Sequence, residues 1–393
     1  MKIYIVSCNW GQGGPGSIAR DLYKTAIAQG HEVRFAYGRD SIPEDVNSFY
    51  FADRVDVVSH FLSASIFDNE GFCSKRSTKR LIDDITKYNP DIINIHNELG
   101  HTLNIPLLIR FIRKSGIRTF WTLHDAWLLT GHCITGLCDK FNKGCGHCPK
   151  KNEYPKSYVF ECSSKNLEKK EKLLLPVIPN LSFITPSIWL HNLAKCSYIK
   201  DYNVSVIHNG IDLSVFRFCD NSLREKYNLE NKIVLLTVAN IWTKYKGVDF
   251  FYKTSKLLGE KYAFVIIGAN IPHYIRNDRR IISIGRTKNV KELVDWYSTA
   301  DIFVNPTMGD NFPTVNIEAL ACGLPVITFD TGGSGESIGE CGKIVPQGNV
   351  KEMKNIIEQF QGVSKATCRE RALNYDKEDR YLEYLNLFKT SLN

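Results

Sequence analysis

Short apolar runs that end in glycine-rich or polar turns alternate with longer amphipathic segments along most of the chain. The first run, Lys2 to Ser7, predicts a strand; it leads through a glycine loop, Gly11 to Ser17, into a helical pattern at 18–29. Alternation of strands and helices is typical of a parallel sheet that carries helices on its faces. The pattern therefore predicts an α/β protein with a doubly wound, Rossmann-like sheet.

The alternation continues in two series of segments. The first series predicts strands at 31–37, 55–59, 92–96 and 119–124, with helices at 77–88 and 105–115. The second predicts strands at 233–239, 264–268, 281–284 and 302–305, helices at 248–258, 290–300 and 314–321, and a buried strand that starts at Pro325. We expect two Rossmann-like domains with a cleft between them, and the turn signal at His208 to Asp212 places their boundary near 205–230.

Length and composition fit this organisation. The 393 residues suffice for two domains, and 43% hydrophobic with 23% charged residues is typical of a globular protein. No apolar run reaches the roughly 18 residues of a membrane span, and the first residues read as a strand rather than a signal peptide. We expect a cytoplasmic protein.

A moderate excess of positive charge suits anionic partners without choosing among them. The net charge is +8, and two clusters contribute to it: Lys75, Arg76, Lys79 and Arg80, and Arg110, Arg113, Lys114 and Arg118. These clusters are either solvated helix faces or a surface that contacts an anionic membrane, in which a lipid-linked acceptor is held. In the second case the protein is peripheral on the inner face of the plasma membrane.

The segment Gly309 to Pro325 carries the most informative chemistry. Asp310 lies in a polar loop, and Glu318 lies eight positions later, in the first turns of the helix predicted from Thr314. Free N–H groups and the dipole at a helix start attract phosphate, while carboxylates accept hydrogen bonds from sugar or ribose hydroxyls. Phosphate and sugar together indicate a nucleotide-sugar; a capped helix with solvated acids is the alternative.

This segment resembles the Glu-x7-Glu signature of retaining GT-B glycosyltransferases of family 4, with Asp310 in place of the first Glu. The glycine loop, His124-Asp125, the stretch 206–212 and Lys246-Gly247 occur in the family's order as well. The resemblance implies a GT-B fold and transfer of a sugar from an NDP-sugar donor to a lipid-linked or saccharide acceptor, as in bacterial surface polysaccharide synthesis. It implies no cofactor for catalysis.

The resemblance also implies roles for individual residues. Catalysis falls to His124, Lys246, Asp310 and Glu318. Donor binding falls to Gly13, Gly14, Asn240, Lys244, Lys246, Asn311, Phe312, Pro313, Thr314 and Glu318, and Asn240 stands where the family usually has an Arg. The acceptor side is formed by Gly16, His96, Asn97 and Asp125. The domains span 1–205 and 206–374, and the segment 375–393 is expected to return to the N-terminal domain as a helix.

A cysteine-rich insert occupies 130–150. Cys133, Cys138, Cys145 and Cys148 have the spacing Cys-x4-Cys-x6-Cys-x2-Cys, which favours a structural zinc site over disulfides in a reducing compartment. Free thiols, a redox-labile pair and an iron–sulfur cluster are the alternatives. The insert is similar to that of colanic-acid-type enzymes of the family, and we expect it to form a flap beside the acceptor.

Other functions fit parts of the same pattern. A nucleotide-sugar epimerase of the same fold, a non-catalytic sugar-binding protein and a nucleic-acid-binding module remain open. The last has little support, because aromatic and basic residues do not interleave along the chain, and we expect no nucleic-acid partner.

Overall fold

The computed structural model describes residues 1–11, 13–96, 98–135, 138 and 140–392. The chain divides into two compact units: the first contains Met1–His208 together with Arg380–Asn393, and the second contains Asn209–Asp379. Each unit is built on its own parallel sheet.

The sheet of the first unit has the strand order β3-β2-β1-β4-β5-β6-β7. Its strands are β1 (Lys2–Ser7), β2 (Glu32–Tyr37), β3 (Ser48–Tyr50), β4 (Ile92–Ile95), β5 (Arg118–Thr122), β6 (Leu181–Thr185) and β7 (Val204–Val206). The helices between them are α1 (Gly13–Ala28), α2 (Arg54–Phe67), α3 (Lys75–Tyr88), α4 (Ile105–Ser115), α5 (Ser163–Leu174) and α6 (Ile188–Lys195).

The sheet of the second unit has the order β10-β9-β8-β11-β12-β13. Its strands are β8 (Ile233–Ile241), β9 (Tyr262–Ala269), β10 (Ile281–Ile284), β11 (Ile302–Asn305), β12 (Val326–Phe329) and β13 (Gly342–Val345). Its helices are α7 (Leu223–Lys226), α8 (Val248–Leu257), α9 (His273–Arg276), α10 (Val290–Thr299), α11 (Thr314–Ala321), α12 (Ser334–Ile338), α13 (Val350–Gln359) and α14 (Lys365–Leu373).

Buried aliphatic and aromatic side chains cover both faces of each sheet. The last helix, α15 (Lys377–Thr390), contributes to the core of the first unit. Its buried side chains pack in one cluster with Ile3 and Ile5 of β1; they are Tyr381, Tyr384, Leu385 and Phe388. The Phe388 ring lies 4.9 Å from that of Phe120 on β5.

The α/β prediction is confirmed, and most elements lie within a few residues of their predicted positions. The strand predicted at 55–59 is wrong, because these residues lie in α2. Asp53 caps this helix by accepting a hydrogen bond from the Asp56 N–H at 3.0 Å. A short apolar run does not distinguish a strand from a helix, and here the cap selects the helix.

The glycine loop is shorter than predicted. Helix α1 begins at Gly13, so that Gly13, Gly14 and Gly16 form its first turn instead of a loop. Gly16 is packed tightly: a β-carbon there would lie 3.1 Å from the Asn9 carbonyl oxygen. Within the described residues, the helices are too short or too polar for a membrane span.

Candidate active site

Two loops of the second unit are joined at the carboxyl ends of β8 and β11. The Met308 N–H donates to the Tyr245 carbonyl at 2.7 Å. Gly247 has a positive φ of 71°, and a β-carbon on it would lie 1.9 Å from the Pro306 carbonyl oxygen. Only glycine allows this close approach, which brings the Lys246 turn against the loop that carries Asp310.

Lys246 and Asp310 form an ion pair on these joined loops. The Lys246 Nζ lies 2.6 Å from the Asp310 Oδ2, and the Asp310 side chain is largely shielded from solvent. The ammonium group expected to bind a diphosphate is thus already partnered by the carboxylate expected to bind a sugar. Lys246 can serve both groups, because an ammonium has three donors.

Gly332 holds the Asp310 backbone from the other side. Its φ is 56°, and a β-carbon there would lie 2.0 Å from the Asp310 carbonyl oxygen. That oxygen accepts from the Gly333 N–H at 3.0 Å. The glycine loop after β12 therefore fixes the position of the acidic loop.

Helix α11 begins at Thr314, as predicted, directly after the acidic loop. Asn311, Phe312 and Pro313 are buried at its start, and the Phe312 carbonyl accepts from Asn209 Nδ2 at 3.2 Å. Its N-cap residue is Pro313, whose side chain has no hydrogen-bonding group. The first N–H groups of α11 therefore depend on other acceptors, which a phosphate can supply.

Glu318 lies one turn into α11 and is hydrogen-bonded to a tyrosine. The Tyr297 hydroxyl of α10 donates to Glu318 Oε2 at 3.0 Å. Burial raises the pKa of Glu318 to about 7, although hydrogen bonds from Tyr297 and Thr314 act in the opposite direction. The carboxyl group therefore loses its proton near neutral pH. The resulting carboxylate can accept hydrogen bonds from ribose hydroxyls.

Asn240 and Lys244 lie beside these loops. Both are exposed, Asn240 near the end of β8 and Lys244 in a short 3-10 helix with Lys246. The register between β8 and β9 shifts between Val238 and Ile241, so that Asn240 lies in an irregular part of the strand. Lys244 and Lys246 thus provide two cations within three residues.

In the first unit, a buried relay ends at His124. Asn94 Nδ2 donates to the Phe120 carbonyl at 3.1 Å, so the amide is oriented with Oδ1 toward His96 Nε2, at 2.6 Å. His96 Nε2 must then donate, which leaves His96 Nδ1 as the acceptor for His124 Nε2 at 3.0 Å. Burial keeps both rings neutral, because it lowers the pKa of His96 well below its ordinary value and that of His124 to about 3.

The relay changes the roles expected of both histidines. His96 is completely buried and bonds to Asn94 and His124, so its contacts in this structure orient His124, and its expected contact with an acceptor stays a prediction. The Nε2–H of His124 is committed to His96, so this nitrogen is not the donor to a sugar that the sequence suggests. Asn97, the other residue expected at this strand end, lies outside the described residues.

Three ionisable side chains interact near His124: Glu98 and Lys170 are buried, and Asp125 is half-buried. Burial raises the pKa of Asp125 to about 6 and that of Glu98 to about 8, and it lowers the pKa of Lys170 to about 7. Lys170 Nζ donates to the Trp127 and Thr130 carbonyls at 2.6 and 2.9 Å. This lysine of α5 anchors the start of the cysteine-rich insert.

Within the described residues, the four sulfurs of the cysteine-rich insert do not gather at ligand distance from one another, so the predicted zinc site has no support from the structure. The Cys133 and Cys148 sulfurs lie 3.8 Å apart, and Cys138 interacts electrostatically with both Cys133 and Cys145. None of the four cysteines is in a disulfide. The hydrogen bond from Cys133 lowers the pKa of Cys148 to about 6.

Within the described residues, His60, Glu70 and His101 form the group whose possible metal-ligand atoms lie close enough together to hold an ion. Hydrogen bonds already occupy them: His60 Nε2 accepts from the Gly71 N–H at 3.0 Å, and His101 Nδ1 bonds to Glu70. His60 Nδ1 contacts the Ser74 hydroxyl at 2.9 Å, and that hydroxyl donates to the His101 carbonyl. The group is a structural network rather than a metal centre.

Several side chains of these sites were missed from the sequence. Tyr297 and Lys170 lie far along the chain from the groups they contact, and no spacing rule relates them. Asn94 lies two residues before His96, but the Phe120 carbonyl that orients its amide is 26 residues away. A weak signal existed for Asn94, because a polar residue inside a buried strand requires a partner.

The family models match both units. A model described as "Glycosyltransferase Family 4" matches residues 12–215, and one described as "Glycosyl transferases group 1" matches 232–361. A putative colanic acid biosynthesis glycosyl transferase, WcaC of Escherichia coli (strain K12), is 23% identical over 99% of this chain and 100% of its own length. The capsular polysaccharide biosynthesis glycosyltransferase CapM of Staphylococcus aureus is 27% identical over 48% of this chain and 54% of its own.

Solved structures agree on the fold. Sucrose-phosphate synthase from Thermosynechococcus elongatus superposes with a TM-score of 0.73 at 15% identity, covering 99% of this chain and 98% of the other. HepE of Anabaena, solved with UDP and glucose, superposes with a TM-score of 0.66 at 15% identity, covering 99% of this chain and 100% of the other. These likenesses establish the GT-B fold. Because the family model covers more than half of the residues, the chain belongs to glycosyltransferase family 4.

Proposed function

We propose that the protein is a retaining glycosyltransferase that moves a sugar from an NDP-sugar to a lipid-linked or saccharide acceptor in surface polysaccharide synthesis. The observation that carries this proposal is the ion pair of Lys246 and Asp310 at the start of α11, with Glu318 one turn later. Cations, helix N–H groups and two carboxylates thus lie on neighbouring segments of the second unit: two joined loops and the first turns of α11. This combination suits a diphosphate that carries a sugar at one end and a ribose at the other.

The relatives support the class of substrate. The two relatives described above are named for colanic acid and capsular polysaccharide, and a third, from Campylobacter jejuni, is named as an N-acetylgalactosaminyltransferase acting on a diphospho-undecaprenol saccharide. HepE has also been solved with UDP-glucose. A lipid-linked acceptor further suggests a peripheral position on the cytoplasmic face of an anionic membrane.

In the proposed reaction, the bond between the sugar's anomeric carbon and the diphosphate oxygen breaks, and its electron pair leaves with the diphosphate. The acceptor hydroxyl bonds to the same carbon from the same face, and its proton passes to the departing phosphate. Lys246, Lys244 and the N–H groups of α11 stabilise the negative charge that develops there. Glu318 orders the ribose and Asp310 the sugar.

In the second unit, Asn240, Asn311, Phe312, Pro313 and Thr314 shape the donor loop. In the first unit, Gly13 and Gly14 offer backbone N–H groups at the start of α1, and His124, whose ring is oriented by His96, is assigned a sugar-binding role. We place the acceptor on the first unit, near Gly16 and Asp125.

Product analysis tests the proposal. A thermal-shift panel of UDP-, GDP- and ADP-sugars first identifies the donor, because a ligand at 100 times its Kd adds about 2.7 kcal/mol to stability. NMR of the product should then show the donor's anomeric configuration. Glu318→Gln should lower kcat/KM by about 10²-fold or more, whereas the exposed control Glu340→Gln should not.

Three outcomes would contradict the proposal. Conversion of the donor's sugar without any acceptor would indicate an epimerase, and donor binding without turnover would indicate a sugar-binding protein. Inversion at the anomeric carbon would exclude the retaining mechanism. Turnover should also survive EDTA, since lysines and helix N–H groups are expected to neutralise the diphosphate.

A further inference from the structure

Helix α2 leaves most of its large apolar side chains exposed. Val55, Val58, Leu62 and Ile66 follow one another at spacings of three or four residues, so they form one stripe along the helix, and all four are exposed. The residues that α2 buries are His60 and Ala64, on the opposite side. A surface helix normally shows the reverse arrangement, with its apolar stripe toward the core.

A neighbouring segment extends this apolar surface. The Tyr158 N–H donates to the Ser65 carbonyl at 2.7 Å, and the Phe160 N–H donates to the Ile66 carbonyl at 2.9 Å. The rings of Phe67 and Phe160 stack at 5.5 Å, and Tyr158, Val159 and Phe160 are all exposed. We call the stripe, Phe67 and residues 158–160 together the α2 patch.

Cations border the α2 patch at both ends. Arg54 is the first residue of α2, Arg80 donates to the Tyr50 and Ala52 carbonyls just before it, and Lys151 Nζ donates to the Val159 carbonyl at 3.3 Å. The nearby carboxylates of Asp53 and Asp56 are occupied, because they accept from backbone N–H groups at the starts of α2 and α3.

A pocket adjoins the N-terminal end of the stripe. It has a volume of about 580 Å³, and its lining includes Arg39, Arg54 and Asp40 together with Val57 and Val58. Two guanidinium groups thus accompany one carboxylate, which accepts from the Trp10 N–H at 3.2 Å. Guanidinium groups beside aliphatic side chains suit a phosphate headgroup whose chains continue into an apolar phase.

We propose that the α2 patch docks the protein onto an anionic bilayer, with its stripe in the acyl boundary and Arg39, Arg54, Arg80 and Lys151 at the headgroups. This inference rests on the proposed function, in which the acceptor is held by a lipid. It centres the membrane contact on α2 and takes Arg80 from the basic cluster of α3, whereas the sequence drew attention to that whole cluster and to a second one in α4 and at the start of β5.

Charge favours a bilayer over a second copy of the chain. In a two-fold dimer the same surface would meet itself, and the bordering arginines and lysine of both copies would approach one another. Anionic headgroups instead complement these cations while the acyl region receives the stripe.

Vesicle sedimentation tests the docking surface. The full chain should sediment with vesicles of phosphatidylcholine and phosphatidylglycerol, and less with phosphatidylcholine alone. Val58→Glu with Leu62→Glu should weaken binding by tenfold or more, because two apolar anchors become charges. Leu373→Glu is the matched control: Leu373 of α14 is 54% exposed and Leu62 is 52% exposed, yet Leu373 lies outside the patch.

The outcomes separate docking from catalysis. The double variant should keep wild-type turnover on a water-soluble acceptor, which shows that it folds. Unchanged vesicle binding by that variant would overturn the proposal, and so would a wild-type dimer that becomes monomeric in the variant without any vesicle binding. A wild-type protein that docks but transfers no sugar would overturn the proposed function and leave the docking surface standing.

Discussion

At the scale of single residues, the candidate site depends on groups whose charge is set by burial. Glu318 and His124 are both partly buried. Burial disfavours the charged form in each case, so the carboxyl group retains its proton to higher pH and the imidazole loses its proton at lower pH. Each group has a hydrogen-bonding partner from a distant part of the chain, and these partners can be changed without touching the group itself.

Tyr297→Phe should shift the pH dependence of donor binding upward. The pKa of Glu318, ordinarily 4.5, is raised to about 7, and the Tyr297 hydroxyl opposes that rise. Native protein therefore holds a proton that the unfolded chain has lost, and stability falls as pH rises through this window. Donor affinity should increase over the same window as the carboxylate forms. Removing the hydroxyl should move the midpoint up by about one pH unit.

Calorimetric titration of the donor between about pH 6 and about pH 9 measures this midpoint. Tyr262→Phe, in β9 of the same unit, is the control. Identical profiles for wild type and Tyr297→Phe would show that Glu318 does not govern donor affinity.

Asn94→Asp should reverse the tautomer of His124. A buried carboxylate next to His96 favours the imidazolium form of that ring, whose Nδ1 then donates to His124 Nε2 instead of accepting from it. Nitrogen-15 NMR of the His124 ring should show a proton on Nε2 in the wild type and on Nδ1 in the variant. An unchanged tautomer would mean that the relay does not set the state of His124.

At the scale of elements, glycines decide how the loops of the second unit meet. Gly247 and Gly332 each have positive φ and leave no room for a β-carbon, and both face a backbone carbonyl of the loop between β11 and α11. The carbonyl cannot move without displacing Asp310 or Pro306. The geometry of the ion pair is therefore a property of three loops together.

Gly332→Ala should lower stability and weaken donor binding. The β-carbon would meet the Asp310 carbonyl oxygen at 2.0 Å, in addition to the cost of a positive φ. Gly362→Ala is a matched control, because Gly362 also has a positive φ of 82° but no atom within 4 Å of the added carbon. We expect the first variant to cost at least about 1–3 kcal/mol more than the second in urea unfolding. Equal costs would show that the loop adjusts freely.

At the scale of the whole molecule, the core of the first unit combines segments that lie far apart along the chain. It contains β1 together with α15 from Arg380 onward. Asp212 and Lys377, which form an ion pair at 2.5 Å, lie where the chain enters and leaves the second unit.

Phe388→Ala should destabilise the first unit although it lies at the far end of the chain. Phe388 is fully buried against Phe120, and truncation of a buried phenylalanine costs about 3–5 kcal/mol. Asn386→Ala on the exposed side of α15 should stay within about 0.5 kcal/mol of the wild type. Urea unfolding measures both, and a wild-type value for Phe388→Ala would mean that α15 is dispensable for this core.

The strands and helices could be predicted to the extent that their signals are local. Helices α4 and α11 occur at their predicted bounds, because a cap or a proline-terminated loop precedes a clear periodic run. Residues 55–59 were misassigned, since five apolar-rich residues fit a strand and a helix equally well. The zinc prediction lacks support for a different reason: spacing limits which sulfurs can meet, but the packing of the insert decides which ones do.

By itself, the sequence determined the α/β class, the family and the loop and helix that carry Asp310 and Glu318, because periodicity, turn residues and motif order are all local along the chain. Only the tertiary structure decided the state of each group: that Lys246 pairs with Asp310, that Tyr297 bonds to Glu318, that Asn94 and His96 set the ring of His124, and that α2 turns its apolar side outward. These contacts join residues far apart in the chain. Their existence depends on how the elements pack, which no short pattern encodes.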